Sequence, residues 1–285
     1  MTRRRDLEHH RHSMGEIREI MNSMKTLAYM ETRKLERFLD AQHAVVESIE
    51  DIASDFLSFY SETLPEIDET IRVYLLIGTE RGFCGDFNQT LIRHLESNMD
   101  TRKDTKSFLI TVGRKLYTLL EDDTRVTARI DGPSVVEEVS VVLNQIVNEV
   151  SSLQQQHGMM AVYGLYHVGD DGIVMQKLLP PFQHCLHQPP HFTDPPVLNL
   201  SPVEFLIDLT EQYLFAVLHE MLYVSFMAEN HNRVRHLEGA VTHLDDESDV
   251  LARQCNALRQ EEIIEEIEVI LLSASSLDED EQKYT

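Results

Sequence analysis

The sequence has no tryptophan and only three cysteines, Cys84, Cys185 and Cys255, which lie far apart without a paired spacing. This spacing argues against a disulfide framework and is typical of a reducing compartment. No run of about 18 apolar residues occurs, so we expect no membrane span. The basic N-terminus leads into His9, His10 and His12 rather than an apolar run, which excludes a secretory signal. We expect these histidines to lie in an unstructured end.

Positive charge is also scarce, because 25 Lys and Arg stand against 49 Asp and Glu, giving a formal net charge of −24. Such a charge disfavours binding to nucleic acid or to anionic lipid. We therefore expect no nucleic-acid partner, and membrane association only through other proteins. The length of 285 residues, 42% of them hydrophobic, is enough for one large core or two ordinary ones.

Glycine and proline are missing from a long N-terminal stretch, since none occurs between Gly15 and Pro65. Apolar residues recur there in steps of three and four, which predicts a helix of about 45–50 residues, roughly 70 Å long, with a seam for a facing helix. The predicted seam, interrupted by Glu31 and Gln42, consists of Met14, Ile17, Met21, Met24, Ala28, Leu35, Phe38, Val45, Ile49, Ile52, Phe56 and Phe59.

The C-terminal part carries a second seam of the same kind. Pro202 suits the first turn of a helix, with Ser201 as its N-cap. After Leu258 the phase slips, and an isoleucine stripe is expected to continue the seam with a local change of supercoil. The seam residues are Val234, Leu237, Val241, Leu244, Leu251, Cys255 and Leu258, followed by Ile263, Ile264, Ile267, Ile270 and Leu271.

Between these ends the periodicity changes to that of a layered α/β domain. Residues 73–77 and 107–113 read as buried strands, each followed by a helical pattern, and 135–153 as a third helix. Residues 160–166 and 173–178 predict a hairpin across Gly169–Gly172.

The predicted fold class is therefore α/β with a long antiparallel coiled coil. The N- and C-terminal helices pair, and a Rossmann-like α/β domain is inserted between them. We predict an N-terminal coiled-coil helix at 1–65, the insert at 70–195, a C-terminal coiled-coil helix at 202–277 and an acidic tail at 278–285.

Three local patterns could carry chemistry, and each has a plainer interpretation. The loop 78–88 follows a strand, as phosphate loops do, but lacks Gly-Lys-Ser/Thr and reads as a connection that needs glycine. Cys84 in this loop has no nearby histidine and reads as a packed residue. His184, Cys185, His187 and His191 lack the second ligand pair of a zinc site. We expect no catalytic residue, cofactor or metal.

Three segments together resemble the gamma subunit of rotary F-type ATP synthases. They are the loop segment 77–88 and two sets of positions in register with the family's terminal helices. The first set is Ser13, Ile20, Ser23, Met24, Ala28, Lys34 and Leu35, and the second is Glu229, Arg233, Ala240, Asn256, Arg259, Gln260, Ile263 and Glu266. Glu80, Asp86 and Ile264 depart from the family's usual residues, which suggests a divergent, alternate bacterial branch.

The resemblance implies a central rotor shaft that transmits torque between the membrane ion-driven rotor ring and the catalytic ring, without being an enzyme itself. The implied partners are the alpha and beta subunits of the catalytic ring, the epsilon subunit and the membrane c-ring. The implied location is peripheral, on the cytoplasmic face of the bacterial plasma membrane. The positions that match partner contacts in the family are Met24, Arg233, Arg259 and Gln260.

Two other functions remain open at this point. One is a coiled-coil adaptor or tether with an α/β head that binds a partner. The other is a small enzyme that uses the Cys84 loop.

Overall fold

The computed structural model describes residues 2–64, 70–99, 106–169, 172–183, 185–187 and 193–282. They divide into two units, one of residues 1–26 with 237–285 and the other of residues 27–236. The helices and strands, in chain order, are α1 Thr2–Tyr60, β1 Ile71–Ile77, α2 Phe87–Asn98, β2 Lys106–Val112, α3 Arg114–Leu119, β3 Val126–Ile130, α4 Val139–His157, β4 Ala161–Val168, β5 Gly172–Leu179 and α5 Pro202–Gln282.

The second unit is built on a five-stranded sheet in the order β3-β2-β1-β4-β5. The first four strands are parallel, and β5 pairs antiparallel with β4 through the expected hairpin. Asp170 and Asp171 at its turn lie outside the described residues. Strand order and helical crossovers are those of a doubly wound fold, so the Rossmann-like fold class is confirmed.

Side chains alternate between the two faces of this sheet, because successive strand residues point to opposite sides. Tyr74 and Leu76 of β1 pack with leucines of α2 and α3 on one face. Val73 and Leu75 face the other way, into the larger core formed with α4, α1 and α5. Helix α4 and the two terminal helices thus cover this face of the sheet together.

Strand β3 was not predicted from the sequence. It is short, it pairs with β2 alone, and only Ala128 and Ile130 of its five residues are buried. A half-exposed edge strand of this length has too weak a hydrophobic pattern to stand out. The third helix also differs, since a 3-10 turn at Val136–Glu138 precedes α4.

Helix α5 begins as the sequence predicts, with a reciprocal cap at its first turn. The backbone N–H of Glu204 donates to Ser201 Oγ at 3.3 Å, and the Glu204 carboxylate accepts from Ser201 N at 3.1 Å. Pro202 occupies the first helical position, where a missing N–H costs no hydrogen bond.

Helices α1 and α5 run antiparallel within the second unit. The rings of Phe38 and Tyr223 stack at a centroid distance of 6.2 Å, and farther along the pair those of Phe56 and Phe205 meet at 4.9 Å. Between them Gln42 Nε2 donates to the backbone oxygen of Ala216 at 2.9 Å. Gln42, expected to interrupt the seam, is therefore part of it.

The predicted seam of α1 is wrong at three positions after Leu35, although its members Ile49 and Phe56 pack in the core as expected. Phe38, Val45 and Ile52 are about half exposed, whereas the buried track continues through Val46, Ala53, Phe56 and Leu57. Each of these three exposed residues is followed directly by another apolar residue, as Val45 is by Val46. Periodicity alone cannot choose between two adjacent apolar tracks.

Ion pairs mark the antiparallel pairing of α1 and α5 in the first unit. Lys25 Nζ lies 3.8 Å from Glu238 Oε1, and Arg18 Nε lies 2.5 Å from Asp245 Oδ1, one heptad farther along both helices. Near the start of α1, Arg4 Nε lies 2.9 Å from Glu262 Oε2. Exposed pairs of this kind add little stability but fix orientation and register.

Two expectations about the first unit are wrong. Helix α1 begins at Thr2, so His9, His10 and His12 are helical. The isoleucine stripe does not continue the seam, because its residues are between 46 and 64% exposed. The buried track ends near Cys255, and Glu262 already pairs with Arg4 close to the first residue of α1. The stripe consists of Ile263, Ile264, Ile267, Ile270 and Leu271.

The corrected seam predicts different costs for two neighbouring truncations. Val46→Ala should lower the free energy of unfolding by about 2 kcal/mol, since it removes two buried methyl groups and leaves a cavity. Val45→Ala, the matched control, should change it by less than about 0.5 kcal/mol. Urea unfolding followed by circular dichroism measures both, and equal losses would contradict the seam.

Candidate functional site

The carboxyl ends of β1 and β4 form the crevice where doubly wound folds bind ligands, because the chain order of the strands switches sides between them. In this chain helix α5 lies there. Ser225 Oγ donates to the backbone oxygen of Ile77, the last residue of β1, at 3.3 Å. The crevice is therefore filled by the chain's own helix.

A buried ion pair extends this contact along α5. Glu229 and Arg233 are 3% and 5% exposed, and their side chains form a direct salt bridge. Arg233 Nε also donates to the backbone oxygen of Gly82 at 3.2 Å, and its Nη1 donates to Asn230 Oδ1 at 2.8 Å. The guanidinium thus holds both the helix and the loop after β1.

The Glu229 carboxylate lies near the same loop. The backbone N–H groups of Glu80 and Arg81 are close enough to act on its pKa. Burial raises the pKa of Glu229, while Arg233 and these N–H groups act to lower it. Burial acts to lower the pKa of Arg233, but the nearby Glu229 and Cys84 together outweigh it and the pKa is raised. We interpret the two groups as an ionised pair closed around the loop.

The loop itself is held in a conformation that needs glycine. Gly85 has a φ of +63°, and a Cβ there would overlap the ring of His236. A Cβ on Gly78 would lie 2.6 Å from Asn88 Oδ1, the atom that accepts from Thr79 N at 3.0 Å. The glycines permit close packing of this loop, as the sequence indicates.

Glu80 connects the loop to the rest of the sheet edge. Its Oε2 accepts from the backbone N–H of Arg114, at the start of α3, at 2.9 Å and from that of Gly132, after β3, at 2.8 Å. Three segments at the carboxyl ends of β1, β2 and β3 are therefore tied to one carboxylate. A longer side chain than the family's usual aspartate makes this contact here.

Cys84 is poorly suited to nucleophilic chemistry. Burial, with the nearby Glu229 carboxylate, raises the pKa of its thiol to about 12. Its Sγ lies 3.5 Å from the backbone oxygen of Gly82, and the side chain packs with Phe87 and Ala228. The thiolate, the reactive form, is therefore suppressed at neutral pH.

The four residues that match family contacts lie in different surroundings. Met24 is half-buried on α1. Arg259 and Gln260 are exposed on α5, and neither side chain makes a hydrogen bond or ion pair with another residue that the structure describes. Arg233, by contrast, is buried and committed to Glu229 and the loop. Its guanidinium is not on the surface for a direct partner contact.

Sequence reasoning missed the role of α5 in the crevice. The available signal was a set of polar residues at helical spacing within an otherwise apolar stretch of this helix. A buried face that alternates apolar and polar turns indicates a specific hydrogen-bonded contact rather than a plain core. The set comprises Ser225, Glu229, Asn230 and Arg233.

The proposed histidine and cysteine cluster gives no metal site in the described part of the chain. His184 and His191 lie outside the described residues, and Cys185 is buried with its Sγ 3.8 Å from the backbone oxygen of Glu50. Among the described residues no group of three or more His, Cys, Asp or Glu could hold a metal ion. No helix in those residues is long and apolar enough to cross a membrane.

Two solved structures of known proteins share this architecture. A chain of the Euglena gracilis mitochondrial ATP synthase, from the assembly with the OSCP and the c-ring, superposes with a TM-score of 0.64 at 14% identity, covering 97% of this chain and 95% of that one. A chain of the rotor of the same enzyme gives a TM-score of 0.59 at 13% identity, covering 92% and 99%. These likenesses concern the fold.

The sequence comparisons identify the family. The ATP synthase family model matches residues 3–277, so the chain belongs to the ATP synthase family. The ATP synthase gamma chain of Clostridium botulinum (strain Langeland) is 24% identical over 273 residues, covering 93% of this chain and 94% of that protein. The resemblance to gamma subunits is confirmed. The assignment to an alternate bacterial branch stays a prediction.

The ion pair in the crevice predicts a non-additive effect on stability. Arg233→Met should lower the free energy of unfolding by about 3–5 kcal/mol, because it leaves Glu229 buried without a partner. Adding Glu229→Gln should recover most of this loss, since a neutral pair removes the unpaired charge. Arg253→Met, an exposed arginine of the same helix, is the control. Additive losses in urea unfolding would contradict a buried pair.

The raised pKa of Cys84 predicts slow thiol labelling. At pH 8 the native chain should react with a disulfide reagent on the order of a thousandfold more slowly at Cys84 than the denatured chain, because almost no thiolate forms. Mass spectrometry of the labelled peptide identifies the residue. A rapid stoichiometric burst at Cys84 would speak for a reactive cysteine.

Proposed function

We propose that this chain is the central rotor shaft of an F-type ATP synthase, transmitting torque between the membrane ion-driven rotor ring and the catalytic ring during ATP synthesis or hydrolysis. The observation that carries this proposal is the family match over residues 3–277, which includes both terminal helices and the insert between them. The chain is a non-catalytic subunit, and ATP chemistry belongs to the ring.

The physical form of the chain suits this role. Two antiparallel helices joined by a seam and by cross-helix ion pairs resist twisting far better than one helix or a flexible linker. Glu31 on α1 accepts from the backbone N–H of Val136 at 3.0 Å, so the insert is tied to α1 as well as to α5. Torque applied to the helix pair is thereby passed to the insert.

The partners implied by this role are the alpha and beta subunits of the catalytic ring, the epsilon subunit and the membrane c-ring. Membrane association is then peripheral, through those partners, on the cytoplasmic face of a bacterial plasma membrane. The ring is expected to surround the exposed apolar stripe of Ile263, Ile264, Ile267, Ile270 and Leu271, whose side chains are 46 to 64% exposed in this chain.

Met24, Arg259 and Gln260 are the proposed contacts with the ring. Support comes from their match to family positions and from the exposure of the last two. We do not propose Arg233 as a direct contact, because its side chain is buried. Its proposed role is to hold the loop after β1 through the Gly82 oxygen.

The test is co-expression of this chain with its ring subunits and purification of the complex. One copy of this chain per ring, with ATP hydrolysis coupled to ion pumping, is the expected result. Absence from every ring preparation would contradict the shaft function, and stable self-association of the isolated chain would favour the adaptor or tether instead.

The contact residues are tested by a matched pair of double variants. Arg259→Ala with Gln260→Ala should weaken assembly or coupling while the isolated chain keeps its helical circular dichroism and thermal midpoint, because both side chains are exposed. The control, Arg253→Ala with Gln254→Ala, changes the same Arg-Gln dipeptide six residues earlier on α5 and should leave coupling unchanged. Equal behaviour of the two double variants would remove Arg259 and Gln260 from the proposed contacts.

A further inference from the structure

We infer that the Glu229–Arg233 ion pair holds α5 in the ligand crevice of the Rossmann-like insert, so that the helix and the insert rotate as one body. We call this pair the lock. This inference rests on the proposed shaft function. It assigns the two residues a positioning role in rotary coupling, in place of the direct partner contact that the family resemblance implies for Arg233.

The lock uses the binding geometry that related folds apply to ligands. In doubly wound folds, backbone N–H groups of the loop after the first strand bind an anion at this crevice. Here the Glu229 carboxylate of α5 lies near the N–H groups of Glu80 and Arg81, so a negative charge of α5 stands where such folds place an anion. The insert therefore binds its own shaft helix as an internal ligand.

Arg233 closes the other side of the same loop. Its Nε donates to the Gly82 oxygen at 3.2 Å while its salt bridge holds Glu229. Two side chains one helical turn apart thus meet the same loop, Arg233 through a hydrogen bond to the Gly82 oxygen and Glu229 near the N–H groups of Glu80 and Arg81. Such directional bonds resist sliding and rotation of the helix, which an apolar contact alone tolerates.

The loop passes the constraint on to the sheet. Glu80, two residues before Gly82, uses its own carboxylate to hold the backbone of Arg114 and Gly132. The connected path runs from α5 through the loop to the starts of the segments after β2 and β3. Load on α5 is therefore spread over three strands of the insert.

The position of the lock along α5 fits this role. Most of the contact between α5 and the insert is apolar, through residues such as Tyr213, Val217 and Met221 in the common core. Arg233 lies just before His236, the last residue of the second unit on this helix. The ion pair thus lies at the end of the apolar contact, where twisting of α5 would first separate the helix from the insert.

The test compares the double variant Glu229→Gln with Arg233→Met against wild type in the assembled complex. Replacing both charges keeps the side-chain volume and much of the stability. We expect normal subunit stoichiometry and undiminished ATP hydrolysis, but a loss of ion pumping per ATP hydrolysed. Arg233→Lys, which keeps the charge and loses the planar fork, should restore part of the coupling. Arg235→Met, an exposed neighbour, should behave as wild type.

A measurement on the isolated chain covers variants that assemble poorly. Hydrogen exchange of the Glu80 and Arg81 amides should be faster by about tenfold in the double variant, while amides of β1 exchange as in wild type. Unchanged exchange in this loop, or wild-type pumping per ATP in the assembled variant, overturns the lock. An uncoupled wild-type complex would instead count against the shaft function, so the two failures are distinguishable.

Discussion

Every other feature of this chain depends on the antiparallel pairing of α1 with α5. Neither helix can bury its apolar track alone, and both tracks are completed by the other end of the same chain. The α/β insert is held against them because α1 and α5, with α4, cover one face of its sheet. A local stretch of sequence therefore explains little here, since the decisive contacts join residues about 150 to 260 positions apart.

The sequence predicted the parts of the fold that are periodic over long distances. Three-four spacing sustained over many turns predicted both helices, and buried apolar runs predicted β1 and β2. It failed where two choices have equal hydrophobicity, as for Val45 and Val46, and where the pattern is short, as in β3. The capped start of α5 was predictable because Ser201 and Pro202 act locally, through backbone groups only a few residues away.

The contact of α5 with the insert was not predictable in the same way. Sequence reasoning recognised the loop 78–88 as a phosphate-loop position and rejected a nucleotide because the lysine is missing. It could not see that Glu229, far along the chain, supplies the negative charge that such a loop receives from a ligand. Only the folded geometry brings the loop amides near that carboxylate. It also shows that Arg233, which the resemblance alone assigns to a partner contact, is buried beside this loop.

The ion pairs of the first unit have a consequence for the choice of helix partner. The cations Lys25, Arg18 and Arg4 all stand on α1, and the anions Glu238, Asp245 and Glu262 all stand on α5. Two copies of α1 side by side would oppose cation to cation, and two copies of α5 anion to anion. The charge pattern thus disfavours pairing of two like helices from separate chains and selects pairing of α1 with α5.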